Sequence, residues 1–284
     1  MRHSFDVQVG PIGFRIGSAW SQPIETMEFL YAGYPRAPVP DYTVRLEPPR
    51  PWRRLIRPSV SIQGDHVLPE AAPLPLAQAL LAAEMGMNLQ VALGERRFLL
   101  LHAACVERDG RALILTGESG SGKSTMSALL GASGWRFMGD EFVLIEPATG
   151  LAHPFPRPVS LKNESIAALT AILPDVRFGP LLRGTPKGDV RHLRPDLAAI
   201  ANMAATAIPA LILFPCFGPP REIREVAASE AFVRLTQAST NYVALGESGF
   251  TALTRLVTTL PARAIDYPDT ATGIAQIEEL WSGL

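Results

Sequence analysis

Gly117-Glu118-Ser119-Gly120-Ser121-Gly122-Lys123-Ser124-Thr125 is the stretch with the densest chemistry in this chain, and it fits the spacing G-x-x-x-x-G-K-[ST]. Glycines at 117, 120 and 122 open backbone conformations that a β-carbon forbids, so successive amides can turn inward around phosphate oxygens. A helix starting behind them aims its positive end at the same anion. Lys123 then reaches the β- and γ-phosphates, and the Ser124 hydroxyl ligates Mg²⁺. The stretch implies a bound nucleoside triphosphate, with all nine residues contributing to its cradle.

Two further groups flank it. His102 ends the apolar run Phe98-Leu-Leu-Leu and is followed by Ala-Ala-Cys-Val106. Its ring is either a hydrogen-bonded structural group or a neighbour of the loop's mouth. Asp140-Glu141 follows Trp135-Arg-Phe-Met-Gly139, where a Walker-B-type carboxylate stands in phosphoryl-transfer proteins; a solvated turn carrying two acids is the other reading. Arg157, Lys162, Arg183, Lys187, Arg191 and Arg194 make a basic span. Within it Gly184-Thr-Pro-Lys-Gly188 reads as a flexible loop whose Lys187 either closes over a transferring phosphoryl group or is merely exposed.

These residues need elements to hold them. Ala112-Leu-Ile-Leu-Thr116 reads as the strand that delivers the loop, and Lys123 to Gly131 as the helix behind it, with Gly134 as its stop. Asp109-Gly110 between two apolar runs predicts a hairpin, which sets His102 on a strand antiparallel to the loop's own. Pro147-Ala-Thr-Gly150 predicts a second hairpin. Ala210 to Phe214 reads as a buried strand of the same sheet and Arg263 to Asp266 as an edge strand. Ser229 to Gln237, Glu247 to Thr259 and Asp269 to Trp281 read as helices, the last capped by Asp269.

Residues 1 to about 70 are proline-rich, with Phe5–Val9 and Tyr42–Leu46 alternating as half-buried strands do. Trp52-Arg53-Arg54 reads as a solvated strand end or a ligand patch. Leu74 to Leu93 is the most apolar long segment, yet Gln78, Glu84, Asn88 and Gln90 interrupt it, which predicts a packed helix of a soluble protein and not a membrane span. The division expected is 1–95 as a β-rich region ending in a helix, and 96–284 as the nucleotide domain.

Composition narrows the class further. Of the 284 residues 47% are hydrophobic, enough to fill a substantial core, and the net charge of −1 offers no field to hold nucleic acid or an anionic membrane. Cys105 and Cys216 lie far apart in apolar stretches and read as small buried hydrophobes in a reducing cytoplasm. No apolar signal-peptide core follows the N-terminus.

From about Leu99 to Ile145 the chain resembles HPr kinase/phosphorylase, and more closely the shorter HPr-kinase-related proteins of proteobacteria. His102 stands fifteen residues before Gly117, and Asp140-Glu141 begins seventeen after Lys123, as in that family. The resemblance implies an α/β fold: a P-loop core of the HPr kinase and phosphoenolpyruvate carboxykinase type with a mixed sheet, beside the small β-rich N-terminal region. It implies ATP and Mg²⁺ as cofactors, a homo-oligomer, and transfer of the γ-phosphoryl group to a serine of a protein or peptide. In those terms Asp140 is the base, His102 tunes it, Ser124, Glu141 and Asp140 surround the metal, and Lys187 neutralises equatorial charge. Family members usually carry Asp-Asp where this chain has Asp140-Glu141, and their downstream glycine-rich signature for the phosphorolytic back-reaction has no clear counterpart here. A small-metabolite kinase and a non-catalytic, nucleotide-gated binding module remain the alternatives.

Overall fold

A computed structural model describes residues 2–68 and 71–284. Contacts divide the chain into two compact units: residues up to Glu95 together with Ser160–Arg194, and Arg96–Val159 together with Pro195–Leu284. The segment 160–194, expected to continue the nucleotide domain, groups with the N-terminal residues instead.

The first unit opens with β1 (His3–Val9) and β2 (Ile12–Ser18), an antiparallel hairpin turned at Gly10-Pro11. Helix α1 (Ser21–Leu30) crosses to β3 (Tyr42–Glu47), which pairs parallel to β2; β4 (Ser59–Gly64) and the short β5 (Leu74–Pro75) follow antiparallel. Only β1 and β3 were legible as strands in this region. Trp52 and its neighbours form a 3₁₀ turn, Pro51–Arg54, and not a strand end. Arg54 donates to Ala19 O at 3.1 Å, while Trp52 stays exposed beneath the Arg50 guanidinium.

Helix α2 (Ala79–Gly94) covers β3 and β4. With the 3₁₀ turn before it, Leu76–Gly94 is long and apolar enough to cross a membrane by length and composition alone. Its polar residues explain why it packs inside this unit instead. Tyr31 Oη donates to Glu84 at 2.8 Å, and Gln90 exchanges bonds of 2.8 and 2.9 Å with the His66 backbone. Gly86 touches the sheet so closely that a Cβ there would lie 2.6 Å from Val44.

The second unit begins at β6 (Leu99–Leu101), β7 (Ala103–Arg108) and β8 (Arg111–Thr116). The β7–β8 hairpin turns at Asp109 (φ 56°) and Gly110 (φ 76°), the left-handed pair that a two-residue turn demands and Asp-Gly supplies. Helix α3 (Lys123–Ala132) follows the glycine-rich loop and stops at Gly134 in the left-handed region. Then come β9 (Arg136–Gly139), β10 (Val143–Ile145) and β11 (Ala152–His153), the last two joined by the expected turn through Gly150.

The chain next returns to the first unit. There β12 (Val159–Lys162), helix α4 (Glu164–Thr170), β13 (Leu182–Thr185) and β14 (Gly188–Leu193) build a small sheet of order β12-β14-β13. Gln78 Nε2 donates to Gly184 O at 3.2 Å, and Arg194 reaches Phe29 O, so this sheet bonds to the N-terminal residues of its own unit.

Back in the second unit, α5 (Leu197–Ala201) leads to β15 (Ile208–Phe217), β16 (Glu222–Glu225), α6 (Ala228–Ala238), α7 (Tyr242–Leu245), α8 (Glu247–Thr259), β17 (Ala262–Tyr267) and α9 (Thr270–Ser282). Asp269 caps α9 by accepting from Thr272 N at 2.9 Å. The main sheet runs β16-β17-β15-β8-β7-β9, with β17, β15 and β8 mutually parallel and the outer pairings antiparallel. The sheet is therefore mixed, and the fold is α/β. β17 is not the edge expected from its sequence: β16, short and polar, covers it.

Helices α6 and α8 bury Leu235, Leu253 and Leu256 against Ile114, Ile212 and Phe214 on one face. On the other, α3 and α9 meet at Gly273, where a Cβ would lie 2.6 Å from Met126 and 2.8 Å from Tyr267.

Candidate functional site

β8 is one of the two central strands of the main sheet, and at its end the backbone must leave the plane to start α3. Gly120 (φ 89°) and Gly122 (φ 95°) make that turn in the left-handed region. Gly122 is doubly constrained, because a Cβ there would collide with the Tyr267 hydroxyl. That hydroxyl donates to Ser121 O at 3.2 Å. Burial, helped by the nearby Cys216 thiol, pushes the Tyr267 phenol up to about 12, so it remains a donor across the neutral range. Tyr267 is the loop's anchor, and nothing in the sequence marked it: one aromatic at the end of a strand looks like any core residue.

Lys123 is buried, and its ammonium donates to Gly117 O and Glu118 O, both at 2.7 Å. Its charge is thus folded over the loop, within the ring of peptide groups that a phosphate would enter. Ser124 and Thr125 stand half-buried in the first turn of α3, while Glu118, Ser119 and Gly120 form the exposed rim. Ser121 Oγ is buried and has no hydrogen-bond partner among the described residues. An unpaired hydroxyl, positive-φ glycines and a buried ammonium in one turn fit an anion with several acceptor oxygens.

The strand pairings bring the acids and the histidine to the same end of the sheet. Ala103 pairs with Thr116, so His102 lies beside the last residue before the loop, and Thr116 Oγ1 donates to His102 O at 3.4 Å. The His102 amide donates to Ala238 O at 2.8 Å, and Asn241 braces β6 by bonding Leu100 N and Phe98 O at 3.0 and 2.8 Å. β9 is antiparallel to β7 and hence runs parallel to β8, so Asp140-Glu141 emerges at the loop's end of the sheet. Asp140 is buried; Glu141 is half-exposed. The His102 ring lies 3.9 Å from the Glu141 carboxylate, an ion pair when the imidazole is protonated but beyond hydrogen-bond length. Sequence reasoning had paired His102 with Asp140.

Hydroxyl and carboxylate are the oxygen donors that Mg²⁺ prefers. Among the described residues no cluster of three or more His, Cys, Asp and Glu could cage a metal unaided. A cation held by Ser124, Glu141 and Asp140 would need phosphate oxygens to complete its shell.

Lys187 is exposed at the tip of the β13–β14 hairpin, in the first unit. Its loop is tied: Thr185 Oγ1 accepts from Lys187 N at 3.1 Å and donates to Gly188 O at 2.7 Å. The flexible loop expected from Gly184–Gly188 is a tight turn. Much of the basic span is likewise structural. Arg191 pairs with Asp175 at 2.8 Å and stacks on Phe178, Arg194 donates to Phe29 O at 3.5 Å, and Arg157 is buried.

The cysteines part company. Cys105 is buried within β7, where burial raises its thiol to about 12. Cys216, expected to be buried, is exposed, because the last two residues of β15 run past the packed core.

A family model described as SynChlorMet cassette protein ScmC matches residues 77–171, well under half of the chain. That stretch includes His102, the glycine-rich loop and Asp140-Glu141. No curated protein matches significantly. Among solved structures, one described as the Hpr(Ser) kinase/phosphatase from Coxiella burnetii is 14% identical with a TM-score of 0.29, over 65% of this chain and 99% of that one. At that identity and TM-score it assigns neither a reaction nor a substrate to this chain.

Proposed function

We propose that the protein is an ATP- and Mg²⁺-dependent phosphotransferase whose acceptor is a hydroxyl, a serine of a protein or peptide. The observation that carries this reading is the convergence at one end of the main sheet of the glycine-rich loop with Lys123, the His102 position and the Asp140-Glu141 pair. The three landmarks shared in register with HPr kinase/phosphorylase support the choice of acceptor. Four of the residues concerned come from three different strand ends, an arrangement that a glycine-rich turn of purely structural use would not require.

In this reading the loop amides and Lys123 hold the β- and γ-phosphates, and Lys123 exchanges its two carbonyl partners for phosphate oxygens. Mg²⁺, when bound, neutralises charge shared between those phosphates; Ser124 and Glu141 would hold it, with Asp140 adjacent. The acceptor oxygen forms its bond to the γ-phosphorus as the bond to the β-bridging oxygen breaks, and the hydroxyl proton passes to the Asp140 carboxylate. His102, beside Glu141, orients the second acid. Positioning and electrostatics supply most of the acceleration in this class, and burial of Asp140 strengthens both. Lys187, exposed on the first unit's β13–β14 hairpin, is given no step in this reading.

Calorimetry with ATP and Mg²⁺, followed by transfer of labelled phosphate to seryl peptides, tests the proposal. Lys123→Ala should lose both binding and transfer. Asp140→Asn should bind nucleotide and lose transfer. Absence of nucleotide uptake by the folded wild-type protein would end the reading, and full transfer by Asp140→Asn would end the base assignment.

A further inference from the structure

The loop has two unlike sides. In the order β16-β17-β15-β8-β7-β9, the strand delivering it stands between β7 and β9, which bring His102 and the acids, and β15 and β17, which bring aromatic rings. A triphosphate is an unbranched chain with the transferring phosphoryl group at one end and the nucleoside at the other, and the reaction proposed above needs its γ end beside Asp140. The side of the loop away from Asp140, open to the nucleoside end, is that of β15 and β17.

What waits there is Phe217. It is the last residue of β15, pairs in register with Tyr267, and leaves 52% of its surface exposed. Its Cβ lies 3.6 Å from where a Cβ of Gly122 would stand, so the ring adjoins the floor of the loop. It rests edge-on against Tyr267, with centroids 5.7 Å apart at 64°, and Tyr267 is itself buried and bonded to Ser121. The ring is therefore packed on the same residue that anchors the loop. Next to it, a Cβ built on Gly218 would meet nothing within 4 Å beyond its chain neighbours. Gly218, which follows at φ 115°, has no side chain to cover the ring.

We propose that Phe217 is the stacking platform for the nucleobase, placing the nucleoside end of the substrate over the ends of β15 and β17. This rests on the phosphate-binding reading of the loop and extends it to the other end of the same ligand. A rigid, half-exposed ring beside a phosphate cradle suits any planar base, because every base offers a π-face.

The test compares two ligands, ATP and inorganic tripolyphosphate, each with Mg²⁺, on wild type, Phe217→Ala, Phe217→Leu and Phe217→Trp. Wild type should bind ATP more tightly than tripolyphosphate. Phe217→Ala should weaken ATP about tenfold and leave tripolyphosphate unchanged, which also reports that the loop is intact. Phe217→Leu, which keeps apolar bulk against Tyr267, should lose ATP affinity in the same selective way, and Phe217→Trp should restore it. ATP affinity unchanged in Phe217→Ala and Phe217→Leu overturns the platform, as does an equal loss of both ligands in Phe217→Leu. Tripolyphosphate binding to wild type with no further gain from ATP overturns the platform and leaves the loop's role standing. Binding of neither ligand to wild type removes both.

Discussion

At the scale of single residues, the site depends on Gly122 and Tyr267 meeting at one point. Gly122→Ala puts a Cβ into the Tyr267 hydroxyl at a backbone conformation that L side chains rarely adopt. It should destabilise the protein by about 1–3 kcal/mol and reduce nucleotide affinity together. Tyr267→Phe removes only the bond to Ser121 O, and should cost about 1 kcal/mol by denaturant melt while leaving the ring packed. A second residue-scale prediction concerns acid. Arg108 grips Glu278 through two bonds of 2.7 and 2.9 Å, and Trp135 adds a third at 3.0 Å; the arginine bond is the main cause that holds this carboxyl below its usual range. A depressed carboxylate stabilises the fold above the unfolded group's pKa, and the contribution is lost as pH falls through the folded value. Glu278→Gln should accordingly lower the melting temperature near neutrality, and its gap to wild type should narrow below about pH 4.

At the scale of elements, the strand ends do the positioning. His102, the loop and Asp140 meet because β7 begins where β8 and β9 finish, a consequence of two antiparallel pairings sharing β7. Much of this was readable. Asp109-Gly110 announced the β7–β8 hairpin, and that hairpin alone puts His102 next to Thr116. The β17 strand misled, since its alternation resembled an edge while the polar β16 that covers it has no hydrophobic pattern to announce itself. Helix α2 offers an element-scale test. Gly86→Ala would press a Cβ within 2.6 Å of Val44, and should cost about 1–3 kcal/mol, seen as a lower denaturant midpoint at unchanged slope.

At the scale of the whole molecule, the division into units runs across the chain order. Residues 160–194 leave the second unit and build their contacts with the first. A fragment of residues 96–284 would carry that segment without its partners, so we expect it to melt less cooperatively than the full chain by circular dichroism. Nucleotide should report on the intact chain in the opposite sense. ATP with Mg²⁺ at a hundred times its Kd should raise stability by about 2.7 kcal/mol in wild type and not at all in Lys123→Ala, as read by the shift in melting temperature.

The local conformation of the glycine-rich stretch was legible in the sequence alone. A glycine-rich turn between an apolar strand and a helix is a short-range pattern in which each residue's conformation follows from its own backbone freedom. So were the Asp-Gly hairpin and the cap at Asp269, whose causes lie within a few residues. Only tertiary structure decided that Tyr267 and Phe217, about a hundred residues or more from the loop, close its far side, that Cys216 is exposed while Cys105 is buried, and that 160–194 belongs with the N-terminal residues. Those outcomes depend on which strands pair and in what order, and pairing is settled by contacts between segments remote in the chain, where an alternating apolar stretch states that it will be buried but not against what.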